Sequence, residues 1–366
     1  MLRRTVWLSA VLGILSCASL AGAADLTASL KEGTPDLKQA GSLAFAPQGI
    51  LLVGDTQSAA VFAIATGDAM GEPAKVKINV EGINEKIAQA LGTTASEVMI
   101  NDLAVNPQSG NVFLSVSRGR GPDAMPVIVK VDGAGKLSEV SLKNVKFAKA
   151  MLPNAPAPGG EGRANKRQDP ITDLQYVAGR VFIAGLSNED FASKLRSIPF
   201  PFAEADKGTS VEIYHGAHGR FETASPVRTF TAYKIGDETN LLAAYTCTPL
   251  VKFPVSQLKP GEKLKGTTIA ELGNGNRPLD MIVYKKGGKD YILLANDKRG
   301  MMKITTENID KIKGIEEKIN DKAGLTYETL ADLKGVMQLD RLNDENVVIL
   351  TKNDAGAMNL QTIALP

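Results

Sequence analysis

The chain has 366 residues, with 42 basic and 40 acidic side chains, two histidines and two cysteines. Its length supplies a core without disulfides, and its balanced, scattered charge excludes a general nucleic-acid binder, which gathers phosphate-neutralising residues on one face. No segment approaches eighteen uninterrupted apolar residues, so no membrane-spanning helix is expected.

Arg3 and Arg4, the apolar stretch Val6 to Leu15 and the small residues Ala21-Gly22-Ala23-Ala24 read as a secretory signal peptide over residues 1–23. A single domain over 24–366 then follows, periplasmic or secreted. The competing reading takes Ile14-Leu15-Ser16-Cys17 as a lipoprotein site, but Leu15 suits that position poorly, so no lipid anchor at Cys17 is expected. Losing Arg3 and Arg4 leaves 40 basic against 40 acidic residues, and Cys247 stays as the one cysteine, so no internal disulfide can form.

Beyond the leader a pattern returns. Asn101-Asp102-Leu103-Ala104-Val105 leads to Val112-Phe113-Leu114, Thr172-Asp173-Leu174-Gln175-Tyr176 to Val181-Phe182-Ile183, and Leu279-Asp280-Met281-Ile282-Val283 to Tyr291-Ile292-Leu293-Leu294. Units of a few short strands cannot bury both faces alone, and copies stacked in a ring give an all-β fold, the β-propeller.

Alternation and short apolar runs divide the chain into six strand clusters. The first takes Ser42 to Phe45, Gly49 to Gly54 and Ala60 to Ala65, with Lys75 to Val80 outermost; the second takes Asp102 to Val105, Asn111 to Val116, Pro126 to Val131 and Leu137 to Leu142. The third takes Asp173 to Val177, Arg180 to Gly185 and Ser210 to Tyr214, with Pro226 to Tyr233 outermost. Asn240 to Tyr245, Leu250 to Val255 and Thr267 to Leu272 form the fourth; Asp280 to Tyr284, Asp290 to Ala295 and Gly300 to Thr305 the fifth; Gly335 to Leu339, Asn346 to Leu350 and Met358 to Leu365 the sixth. A different division of Pro226 to Leu272 gives seven blades. The sixth is one strand short, and Leu26 to Leu30 is expected to complete it and remove the exposed sheet edges.

Short helical insertions interrupt the strands. Ile83 to Leu91 has helical spacing with Gly92 as a stop, and Ile309, Ile312, Ile315 and Ile319 give Thr306 to Ala323 an amphipathic pattern weakened by Gly314. Leu152 to Pro170 is rich in Pro and Gly, carries Arg163, Lys166 and Arg167, and reads as a long loop.

Asp102, Asp173 and Asp280 share one position at the start of an innermost strand, where side chains can point to the central channel. Together with Asn101 and Asn240 they could hold calcium or another divalent cation, which takes six to eight oxygens. The architectural alternative, preferred here, has each Asp accept backbone amides in an Asx turn. His215 and His218 bracket a tight turn, and H-x-x-H alone is a weak metal signal. Cys247 reads as a small buried residue; thiol chemistry would need a base, and neither histidine is near in sequence. Turns between the second and third strands could bring Arg118, Arg120, Asn188, Asn296, Arg299 and Asn353 around one funnel with Asp102, Asp173 and Asp280, and Arg118, Arg120, Asn276, Arg277 and Arg299 are the most ligand-like.

In blade count and in its Asp-apolar-x-apolar strand starts, the chain resembles the secreted six-bladed propellers of the gluconolactonase, SMP-30 and NHL-like group. That resemblance implies a channel cation held in lactonases by a Glu at the first blade with Asn and Asp from others. Here the first blade starts Gly41-Ser42-Leu43, without that Glu, and only Asp102, Asp173 or Asp280 with Asn101 or Asn240 could stand in. The expectation is therefore an exported module binding an unknown small molecule or protein, the alternative being a metal-dependent lactonase or esterase in which the cation activates water.

Overall fold

A computed structural model describes residues 25–157, 166–202, 204–247 and 249–366. The leader, Cys17 and Arg163 lie outside these. Six sheets, antiparallel except where Lys263–Lys265 joins Thr209–His215 in parallel, radiate from a central channel, so the chain is an all-β, six-bladed β-propeller. Among the described residues no helix is long and apolar enough to cross a membrane.

The innermost strands are Leu43–Ala46, Val98–Val105, Asp173–Val177, Val227–Ile235, Pro278–Lys286 and Val336–Arg341. They number the blades first to sixth in chain order. Alternation puts one face of each sheet against each neighbour, and the second strands are buried almost throughout: Ile50–Asp55, for example, is buried at all six positions. These faces interlock as packed layers between blades, such as Val105, Val112 and Leu114 of the second blade against Val348 and Leu350 of the sixth.

Order around the ring departs from order along the chain. Inner-strand contacts run first, third, fourth, fifth, sixth, second and back to first. Four blades are composite: Lys263–Lys265 leaves the fourth blade to pair with Thr209–His215 of the third, Lys322–Gly324 returns from the fifth to the edge of the fourth, and the first and sixth blades take in distant strands as well. In the first, the strand beyond Ala60–Ala65 is Val145–Met151, antiparallel with Ala63 opposite Ala148, and Lys31–Gly33 lies outside it. In the sixth, Asn79–Val80 pairs with Gln361 and Leu360 on the outer edge of Met358–Ala364. The expected assignment of Lys75 to Val80 to the first blade is thus overturned, as is closure by Leu26 to Leu30, which forms a short 3-10 turn over Leu26–Ser29 instead. The connection between Ala65 and Asn79 is pinned at Asp68, whose carboxylate accepts from Ser109 Oγ (2.5 Å), Asn111 Nδ2 (2.8 Å) and Asn106 Nδ2 (3.0 Å) of the second blade.

Three further expectations change. Val227–Ile235 is the innermost strand of the fourth blade, paired with Glu238–Tyr245, and Ser193–Pro199 fills the third blade before Thr209–His215. The helix expected over Thr306 to Ala323 is replaced by a 3-10 turn at Ile309–Lys311, an extended run and the edge strand Lys322–Gly324. Carbonyls of a neighbouring strand and turn win there: Ile315 N donates to Thr268 O and Ile319 N to Gly216 O, both at 2.9 Å, and Gly314 sits at φ +105°, outside helical space. The rim helix is present as Ile83–Ala90, burying Ile83 and Ile87. Of the long loop, Lys166–Gln168 forms a 3-10 turn and residues 158–165 lie outside the described residues.

Candidate functional site

An innermost strand is also a sheet edge, so its outward amides have no ladder partner. In this ring aspartates supply the acceptors. Asp102 Oδ2 takes Leu43 N (2.7 Å), Asp173 Oδ2 takes Phe230 N (2.8 Å) and Asp280 Oδ2 takes Leu339 N (2.8 Å), each bond crossing to the adjoining blade. A fourth carboxylate does the same, with Asp340 Oδ2 accepting from Val105 N at 2.7 Å. The other oxygens of Asp173, Asp280 and Asp340 cap the next amide of their own strand, Leu174, Met281 and Arg341, at 2.7 to 2.8 Å. Uncharged side chains join in: Gln175 Oε1 accepts Ala232 N (2.7 Å), Gln338 Nε2 donates to Asn101 O (3.2 Å), and Ser42 Oγ donates to Thr172 O (3.1 Å).

These aspartates touch the channel but are ringed by protein. Burial, followed by repulsion from Asp173, holds the Asp102 carboxyl well above the usual carboxylate range. Burial and then Asp102 do the same to Asp280. Burial pushes Asp173 up to about 7 and Asp340 up to about 6, the amide donors only partly offsetting it.

From this floor a cavity of about 700 Å³ opens toward the C-terminal ends of the inner strands, walled by Phe45, Pro73, Tyr176, Phe230, Arg341 and Asn343. Its size is within the roughly 300–1,000 Å³ common for small-ligand sites.

The remaining sequence candidates are dispersed. Asn101 Nδ2 donates to Ala40 O (2.8 Å) and Ser117 Oγ (2.9 Å), and Asn240, on the second strand of its blade, donates to Glu238 O (3.1 Å). Neither lines the cavity, so the structure does not bring them to the three aspartates as a ligand set. Arg118, Arg120, Asn276, Arg277 and Arg299 lie at strand ends and turns and do not line the cavity. Arg120 Nε donates to Ser96 O (2.8 Å), Arg299 Nη2 to Asn274 O (3.2 Å), and Arg277 N to Asp297 Oδ1 (2.6 Å). Asn276 is buried, donating to Gly273 O (2.6 Å) and accepting from Asn296 Nδ2 (2.7 Å).

Sequence reasoning left Cys247 apart from the histidines, and the fold joins them. The turn after Thr209–His215 in the third blade and the turn after Glu238–Tyr245 in the fourth put ligand atoms of His215, His218 and Cys247 within 4.8 Å of one another. Glu222 grips both rings, its oxygens 3.0 Å from His215 Nδ1 and 2.6 Å from His218 Nδ1. Burial opposes its ionisation, but hydrogen bonds from His215, Ser225 and His218 prevail and hold its carboxyl well below the usual range. Only the tight H-x-x-H spacing signalled this site; its third member is contributed by another blade.

No protein-family profile matches the chain, and no curated protein matches it. Solved structures do match. One is an oxidoreductase assigned as a glucose dehydrogenase from Thermus thermophilus, 12% identical at a TM-score of 0.35, with 91% of this chain and 99% of that one covered. Another is a PQQ-bound aldose sugar dehydrogenase from Streptomyces coelicolor, 11% identical at a TM-score of 0.29, covering 91% and 97%. An engineered GH43 glycoside hydrolase with endo-xylanase and exo-arabinofuranosidase activity is 12% identical at a TM-score of 0.36, covering 74% of this chain and 52% of its own.

Proposed function

We propose that this is an exported binding module that takes a small, donor-rich molecule, cationic ones preferred, in the channel mouth. The observation that carries the reading is the floor of four aspartates beneath the cavity of about 700 Å³. A carboxylate offers about four acceptor positions, and the amides use two, so each aspartate keeps acceptor capacity toward the channel. Phe45, Tyr176 and Phe230 supply apolar wall, and a cationic head against the floor relieves the repulsion between carboxylates. Export follows from the leader sequence, and cleavage before residue 24 or 25 is checked by mass spectrometry of the protein recovered outside the cytoplasm.

Calorimetric titration with primary amines, polyols and calcium tests the binding. A ligand of this class should bind more tightly as pH rises from 5 to 8, and Asp173→Asn with Asp280→Asn should weaken it at least tenfold. If no amine, polyol or cation binds, or if the double variant binds as well as the parent, the channel reading fails.

A second reading, a metal-dependent lactonase or esterase, draws support from the elevation of Asp102 and Asp280 by burial and by neighbouring aspartates, which a cation would relieve. It requires a divalent cation in the channel, so chelation should lower the melting temperature even after Cys247→Ser. No change on chelation in that variant removes it.

A further inference from the structure

We propose that the seam between the third and fourth blades is a transition-metal site, formed by His215, His218 and Cys247, that takes one zinc ion. It is separate from the channel and does not depend on the channel reading.

The turn builds half of it. His218 N and Gly219 N both donate to His215 O, at 3.1 and 2.8 Å, which folds the two rings onto one side with centroids 3.9 Å apart. Glu222 then occupies Nδ1 of each ring and is itself fixed by Ser225 Oγ at 2.5 Å. A carboxylate on Nδ1 sets the tautomer whose Nε2 carries a lone pair, the outer-shell arrangement of metal-bound histidines. His215 is only 2% exposed and its Nε2 has no hydrogen-bond partner among the described residues. A buried ring nitrogen gains nothing from being left that way.

The fourth blade brings the thiol. Cys247 sits at φ +63°, left-handed backbone that side-chain-bearing residues rarely adopt, and its N–H donates to Asn276 O at 2.8 Å. Anchoring from the fifth blade thus holds Sγ at the histidines. Bonds of about 2.0–2.3 Å in a tetrahedral zinc site put ligand atoms roughly 3.3–3.8 Å apart, so the 4.8 Å spread closes with small side-chain rotations. Two imidazoles and a thiolate select zinc over calcium or magnesium, which want oxygen. Beneath the turn Glu271 accepts Gly216 N at 2.6 Å through Oε1, while its buried Oε2 has no hydrogen-bond partner among the described residues; three protein ligands leave the fourth position of a tetrahedral zinc ion to water. On binding, the thiol proton leaves to solvent and sulfur coordinates as thiolate.

The test is cobalt substitution in the full chain stripped by chelator. One equivalent of Co(II) should give visible d–d bands and a near-ultraviolet thiolate-to-cobalt band, and one equivalent of Zn(II) should abolish both and raise the melting temperature. Cys247→Ser should lose the thiolate band while Cys17 is left in place, His218→Ala should bind at least tenfold more weakly, and Glu222→Gln, which keeps all three ligands, should weaken binding about 10- to 100-fold. The combined Asp102→Asn, Asp173→Asn, Asp280→Asn variant should keep every band. No cobalt spectrum, or a thiolate band unchanged in Cys247→Ser, overturns the site; copper rather than zinc, at one per chain in protein purified without chelator, overturns the metal.

Discussion

The channel aspartates and Glu222 are both enclosed carboxyls, and they answer enclosure in opposite ways. Asp102, Asp173, Asp280 and Asp340 each receive neutral amide donors; burial raises all four, and repulsion from neighbouring aspartates adds to it at Asp102, Asp173 and Asp280. Glu222 receives two imidazoles and a hydroxyl, which together outweigh its burial. The donors, more than the depth, decide the charge state. One set therefore holds strands together with protons partly on, while the other keeps a negative charge beside two rings.

The largest effect should come from removing a staple. Asp173→Ala strands the amides of Phe230 and Leu174, at a cost of about 2–4 kcal/mol in urea unfolding, whereas Asp173→Asn keeps an acceptor and should cost less than about 1.5 kcal/mol. Equal losses in the two variants would show that the charge, and not the acceptor, does the holding. Glu222→Gln comes next, at about 1–2 kcal/mol near neutral pH, because one imidazole loses its partner.

The pH profile sharpens the contrast. Groups raised in the folded state bind more protons there than when unfolded, so their contribution is fully present below about pH 4 and is lost as pH rises through about 6 to 7. Glu222, depressed when folded, contributes above its unfolded value and loses that contribution as the solution becomes more acid. The melting temperature should rise by a few degrees from pH 8 to 5 and fall below pH 4. Asp173→Asn with Asp340→Asn should flatten the upper arm and leave the acid fall intact. Smallest of all, Arg120→Ala should change stability by no more than about 0.5 kcal/mol, since its partner Ser96 O stays open to water.

The repeat made the ring legible because three aspartates marked three inner strands. Asp340 escaped because Leu339-Asp340-Arg341 looks like the charged end of a strand, two residues beyond the position of the others. Val227–Ile235 carries no aspartate, and its alternation suits an outer strand as well as an inner one; only pairing with Glu238–Tyr245 decides. The isoleucines from Ile309 to Ile319 show helical spacing, yet Ile315 gives its amide to Thr268 in a neighbouring strand and Ile319 gives its amide to Gly216 in a turn. The metal seam was least visible, since Cys247 reaches the histidines only once two blades are packed. Local patterns thus record strands, and long-range pairing records which blade owns them.

The composite first and sixth blades have a consequence for a nicked chain. A cut beside Met70, which is 90% exposed, severs the connection between Ala65 and Asn79. The upstream fragment still carries Leu43–Ala46, Ile50–Asp55 and Ala60–Ala65, sandwiched between the ring and Val145–Met151 of the downstream fragment. The downstream fragment still carries Asn79–Val80 on the sixth blade. Neither piece can leave without peeling a sheet from its middle, so the cleaved protein should elute from gel filtration as one particle and separate only in denaturant.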